Sequence, residues 1–82
     1  MEFLTIGKIV NTRGLVGEVK ILSLTDFAPL RYKKGKTVYL ELNGTYVPLI
    51  VVSYHANGRM DYVRFEGYDT VESVTPWKDA YV

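Results

Sequence analysis

Hydrophobic and polar residues alternate along much of the chain with a period of two. Val38, Leu40 and Leu42 alternate with Tyr39 and Glu41, and Val63 and Phe65 alternate with Tyr62, Arg64 and Glu66. Val19 and Ile21 alternate with Glu18 and Lys20. Successive side chains of a strand point to opposite faces, so each set describes a strand with one dry face and one wet face. A slip of one residue would turn the apolar set outward, which pins the register. Glycine, proline and asparagine interrupt intervals rich in Val, Ile, Tyr, Phe and Thr, as in short antiparallel strands. The pattern predicts strands near residues 2–11, 17–24, 37–42, 46–56 and 59–66, with a short one at 79–82.

Two turns are marked. Both central positions of a type I′ turn need positive φ, which Asn43-Gly44 and Asn57-Gly58 tolerate best. They predict a three-stranded meander over 37–66. Pro48 lacks an N–H and belongs at an edge or a bulge. Helix is scarce. Asp69-Thr70-Val71-Glu72 reads as a capping box, with Asp69 as N-cap and Glu72 reaching back. Pro76 should end that helix, because a residue before proline (here Thr75) avoids the α region. Thr25 to Leu30 reads as a turn or a single helical turn. No long amphipathic helix is available to cover the sheet, and closing the sheet on itself also removes bare edges. The expectation is an all-β fold: a six-stranded antiparallel closed β-barrel with at most one or two short helical turns.

Composition narrows the function classes. At 82 residues the chain is one domain, and 48% hydrophobic with 23% charged residues is ordinary for a globular protein. The absence of cysteine removes a disulfide scaffold, a thiolate metal site and a cysteine nucleophile together. No apolar run approaches the roughly 20 residues of a membrane helix, the start lacks the features of a signal peptide, and a cytoplasmic location is the default. Net charge is only +1, yet residues 1–40 hold seven Lys/Arg and three Asp/Glu, while 41–82 hold three and six. One part of the surface could therefore meet a polyanion.

Chemistry-bearing residues are few. His55 is the only histidine and lies at a predicted strand end. A metal or catalytic histidine wants partners, so an exposed strand-end residue is expected. The carboxylates are scattered, and Ser23, Ser53 and Ser73 have neither a nearby base nor an elbow motif. No catalytic residue, metal ligand or cofactor is assigned.

Two segments stand out. In Asn11-Thr12-Arg13-Gly14-Leu15-Val16-Gly17, two glycines sit three apart between strands. One reading is a tight crossing whose glycines take positive φ or admit a close backbone approach. The other is a binding loop of Arg13, Gly14, Leu15 and Gly17, led by Arg13 with Leu15 as an exposed apolar tip. A strand rather than a helix follows, which disfavours phosphate cradling. In Arg31-Tyr32-Lys33-Lys34-Gly35-Lys36, the cations could hold RNA phosphates (Lys33, Lys34 and Lys36 above all) while a base stacks on Tyr32. The alternative is a solvated loop. Tyr39, Tyr46, Tyr62 and Tyr68 could form an exposed interface patch, though strand propensity explains them equally.

Several blocks together resemble the RimM family of bacterial ribosome maturation factors. They are Ile6-Gly7-Lys8-Ile9-Val10, Gly14-Leu15-Val16-Gly17-Glu18-Val19-Lys20-Ile21, Leu24-Thr25-Asp26, Gly35-Lys36-Thr37-Val38-Tyr39-Leu40 and Phe65-Glu66-Gly67-Tyr68-Asp69-Thr70-Val71-Glu72. The resemblance implies a six-stranded barrel of the translation-factor type. It also implies a non-enzymatic role in 16S rRNA maturation and late assembly of the small (30S) ribosomal subunit head. The partner it implies is a head ribosomal protein, number nineteen of the small subunit, with 16S rRNA as a further candidate. Arg13 stands where the family usually has histidine. The family continues into a PRC-barrel domain, absent here, so 1–82 is expected to be the N-terminal domain of a longer protein, monomeric by default. The ribosomal-protein contact is attributed mainly to that missing domain. A generic RNA-binding or peptide-binding barrel is the alternative.

Overall fold

The computed structural model describes residues 5–82. Five antiparallel strands form one sheet: β1 (Gly7–Arg13), β2 (Glu18–Ser23), β3 (Thr37–Leu42), β4 (Thr45–Asn57) and β5 (Met60–Phe65). Their order is β1-β2-β5-β4-β3. The 37–66 meander is present as expected, with β4 between β3 and β5. The part of the first predicted strand at 2–4 lies outside the described residues, and β1 runs on to Arg13, which pairs with Glu18.

β4 is long because it serves two neighbours. Residues 45–50 pair with β3, and residues from Val51 onward pair with β5. A register shift between Val51 and Ser53 marks a bulge at Val52, which bends the strand at this handover. Pro48 lies in the half that β5 does not reach, so its missing N–H leaves no ladder bond unmade.

The all-β expectation holds, but the six-stranded closed barrel does not. The sheet is an open half-barrel of five strands. At 79–82 there is no strand; Tyr81 alone makes isolated bridges, to Lys8 of β1 and to Glu41 of β3. Asp79 takes a positive φ of 70°, which interrupts extended backbone just where the sixth strand would begin.

The two turns differ. Asn43 and Gly44 both have positive φ, 53° and 79°, as a type I′ turn requires. In the second turn only Gly58 does, at 63°, and Asn57 is the last residue of β4. The central pair is therefore Gly58-Arg59, with glycine first as in a type II′ turn, one residue later than expected.

The helices α1 (Ala28–Arg31) and α2 (Val71–Val74) are single turns. Asp69 is not the N-cap of α2: Thr70 is, and its side chain accepts the Ser73 N–H at 3.3 Å. Thr75 takes helical dihedrals despite the following proline, and its hydroxyl donates to the Val71 carbonyl at 2.7 Å. Pro76 thus sits inside a 3₁₀ turn, Thr75–Trp77, rather than ending the helix outright.

The inward faces of the strands form one core. Ile9, Val19, Ile21, Leu40, Leu49, Val51, Val63 and Phe65 are all buried. Each contributes roughly 1.5–3 kcal/mol through removal from water. Trp77 swings in from the 3₁₀ turn and meets Phe65 and Tyr68 edge-on, with centroids 6.0 and 4.7 Å away. Tyr68, packed there, and Tyr62, covered by other groups, are not exposed, unlike Tyr39 and Tyr46.

Candidate partner-binding site

The β1–β2 hairpin closes over four residues, Gly14 to Gly17. Both glycines take positive φ, 68° and 84°. Gly17 also lies hard against the next segment: a Cβ there would overlap the Tyr68 carbonyl oxygen and approach the Thr70 nitrogen to 3.3 Å. The Leu15 carbonyl accepts the Val71 N–H at 3.0 Å. The reading of a tight crossing with close backbone approach is thus met. The loop is fastened at Leu15 and Gly17, yet the side chains of Leu15 (78% exposed) and Val16 (51%) face solvent. Asp69 and Glu72, both exposed, lie on the segment that anchors it.

Arg13 does not reach out from this loop. It turns back across the sheet, where its Cζ lies 4.4 Å from the Tyr62 ring centroid. Its Nη1 donates to His55 Nε2 at 3.1 Å, and its Nε lies 3.8 Å from Glu18 Oε1. The His55 ring stacks on Tyr62 at 4.9 Å and 16°, and its Nδ1 is 4.0 Å from Glu18 Oε2. His55 is exposed as expected, but it has three neighbours that sequence reasoning did not assemble: Arg13, Glu18 and Tyr62. Two of the pairings are local, since Arg13 faces Glu18 and His55 faces Tyr62 across hairpins. The pairing that unites them, β2 with β5, joins distant parts of the chain, and no residue pattern announces it.

The basic cluster is divided by burial. Arg31, Lys33, Lys34 and Lys36 are exposed, but Tyr32 is fully buried. Its ring stacks on Tyr54 at 5.7 Å, and its hydroxyl occupies the space above Gly7. Tyr32 therefore cannot receive a base, which corrects the stacking role expected of it. The loop backbone is tied to β4 by Gly35 N–H to the Val51 carbonyl and Val51 N–H to the Lys36 carbonyl, each 2.9 Å.

Tyr32 and Asp61, both buried, form a polar set with the half-buried Tyr54. The Tyr54 hydroxyl donates to Asp61 Oδ1 at 3.4 Å, while among the described residues Asp61 Oδ2 and the Tyr32 hydroxyl have no hydrogen-bond partner. Burial pushes the Asp61 carboxyl above its usual range, against the opposing hydrogen bonds of Ser23 and Tyr54. Burial also pushes the Tyr32 phenol well up, helped by the nearby Asp61 charge. Tyr54 moves in the same direction, first through burial and then through Asp61. Among the described residues, no group of histidines and carboxylates could hold a metal ion.

Comparison with known proteins places this geometry. The profile of the RimM N-terminal domain matches residues 4–82. The chain belongs to the RimM family. It is 41% identical to the ribosome maturation factor RimM of an Exiguobacterium species over 78 residues, covering 95% of this chain and 45% of that protein. With the RimM of Limosilactobacillus reuteri it shares 42% over 79 residues, covering 96% and 47%. The crystal structure of a 16S ribosomal RNA processing protein RimM from Pseudomonas aeruginosa superimposes with a TM-score of 0.82 at 26% identity, covering 98% of this chain and 48% of that one. The chain therefore spans about half the length of the RimM proteins it matches. Among the described residues, no helix is long and apolar enough to cross a membrane.

Proposed function

We propose that this chain is the N-terminal, non-catalytic domain of a cytoplasmic ribosome maturation factor, acting in late assembly of the small-subunit head and in 16S rRNA maturation. The observation that carries the reading is the Gly14–Gly17 loop. Exposed apolar side chains on a fastened loop lose little conformational entropy on docking, which suits an anchor for a partner's pocket. The acidic residue beside it that carries no ion pair among the described residues, Glu72, favours a basic partner such as the head ribosomal protein number nineteen over an RNA phosphate chain. The domain would act as a scaffold. By binding one arrangement of the head more tightly than its competitors, it shifts the population toward that arrangement.

The test is a titration of the isotope-labelled domain with the head ribosomal protein. Amide shifts should cluster on 14–17 and 68–72, and Leu15→Ala should weaken binding by roughly tenfold, as truncation of an interface anchor does. An unchanged affinity in Leu15→Ala would remove the loop from the interface.

A further inference from the structure

The arrangement of Arg13, His55 and Tyr62 forms a second surface of different chemistry. Tyr62 is 9% exposed, because other groups cover its ring. His55 and Arg13 both rest on it, and the 3.1 Å bond between them puts them side by side on the same face of the ring. An arginine at neutral pH only donates, so His55 Nε2 must accept and the imidazole proton lies on Nδ1, toward Glu18. Glu18 thus faces both groups and holds them in place, its own side chain only 17% exposed. The result is a layer over a buried ring: an imidazole stacked on it at 16° with a guanidinium beside it, 4.4 Å from the ring centre. Its outer side is open, with the two side chains 53% and 54% exposed.

We propose that this layer is a stacking site for a nucleobase of single-stranded RNA. Imidazole rings and guanidinium planes both receive unstacked bases. The surrounding outward side chains fit the phosphates that accompany such a base. Lys20 stands opposite Tyr62 on β2, and Arg64 follows two residues along β5. With Arg13 they set three cations against the Glu18 carboxylate, and Asp69 shares Arg64 at 3.8 Å. That balance favours a polyanion over a basic protein. The site is separate from the Leu15 tip and does not depend on it.

The experiment uses short fluorescent oligo(A) and oligo(U) RNA strands at low salt, with parallel proton spectra of the single imidazole. Oligo(A) should bind more tightly than oligo(U), because purines stack more strongly, and the His55 ring resonances should move upfield under the base. His55→Ala should weaken oligo(A) binding about tenfold, the scale of a lost base–aromatic stack. His55→Phe should retain most of the affinity. Trp77 fluorescence verifies that each variant is folded. Wild-type affinity in His55→Ala, shifts confined to 31–36, equal affinity for duplex RNA, or a His55 response to the head ribosomal protein but not to RNA would each overturn the assignment.

Discussion

Replacing Gly17 with alanine tests the loop geometry most directly, with Gly14→Ala as its matched control. Both glycines are left-handed, at φ 84° and 68°. An alanine forced into that region costs about 1–2 kcal/mol. At Gly14 nothing lies within 4 Å of the added methyl, so that cost stands alone. At Gly17 the methyl would also overlap the Tyr68 carbonyl oxygen and lie 3.0 Å from its carbon. These are backbone atoms, so the strand end or the 68–71 segment must move. Overpacking of this kind adds about 1–3 kcal/mol. Gly17→Ala should therefore cost about 2–5 kcal/mol and Gly14→Ala about 1–2 kcal/mol. For a domain of this size each kcal/mol lowers Tm by roughly 4–8 °C. Urea unfolding followed by the single, buried Trp77 gives both values. If the two variants are equally stable, the contact between Gly17 and Tyr68 does not constrain the loop as described.

The buried polar set gives two further outcomes. Because Asp61 has a raised pKa in the folded state, its favourable contribution is complete below the unfolded value, roughly 3.9, and is lost as pH rises through the folded value. The stability of Asp61→Asn relative to wild type should therefore increase from acid toward neutral pH, read as urea midpoints across that range; a pH-independent difference would refute the assignment. Tyr32→Phe removes a buried hydroxyl that has no partner among the described residues and should be neutral or stabilising by about 1 kcal/mol, where a loss of stability would show that the hydroxyl is satisfied. Trp77→Ala removes the side chain packed against Phe65 and Tyr68 and should cost about 3–5 kcal/mol in thermal unfolding.

The strands were legible because alternation is a local signal. β3 matches its expected bounds of 37–42, and the core residues Val38, Leu40, Val63 and Phe65 are those the period of two marks as apolar. Tyr32 was misread because its neighbours in sequence are cations. Its burial depends on Tyr54 and Gly7, which are distant in the chain. The sixth strand failed for a similar reason. Its composition suits a strand, but the left-handed Asp79 and the single-residue bridging of Tyr81 arise from tertiary packing. The Gly14–Gly17 loop was legible as a tight crossing, since few other roles need glycines at that spacing between strands. That Arg13 folds back onto Tyr62 was not, because it requires knowing that β5 lies beside β2.

The stitch at Tyr81 bears on how the molecule is made. It ties Lys8, from the first strand, to Glu41, from the third, through a residue far along the sequence from both. A nascent chain leaving the ribosome can build its hairpins early, since each is local. The seam must wait until Tyr81 itself has emerged, long after β1 and β3. Contacts of such long sequence separation slow folding. Until then the outer strands are bare and open to stray pairing.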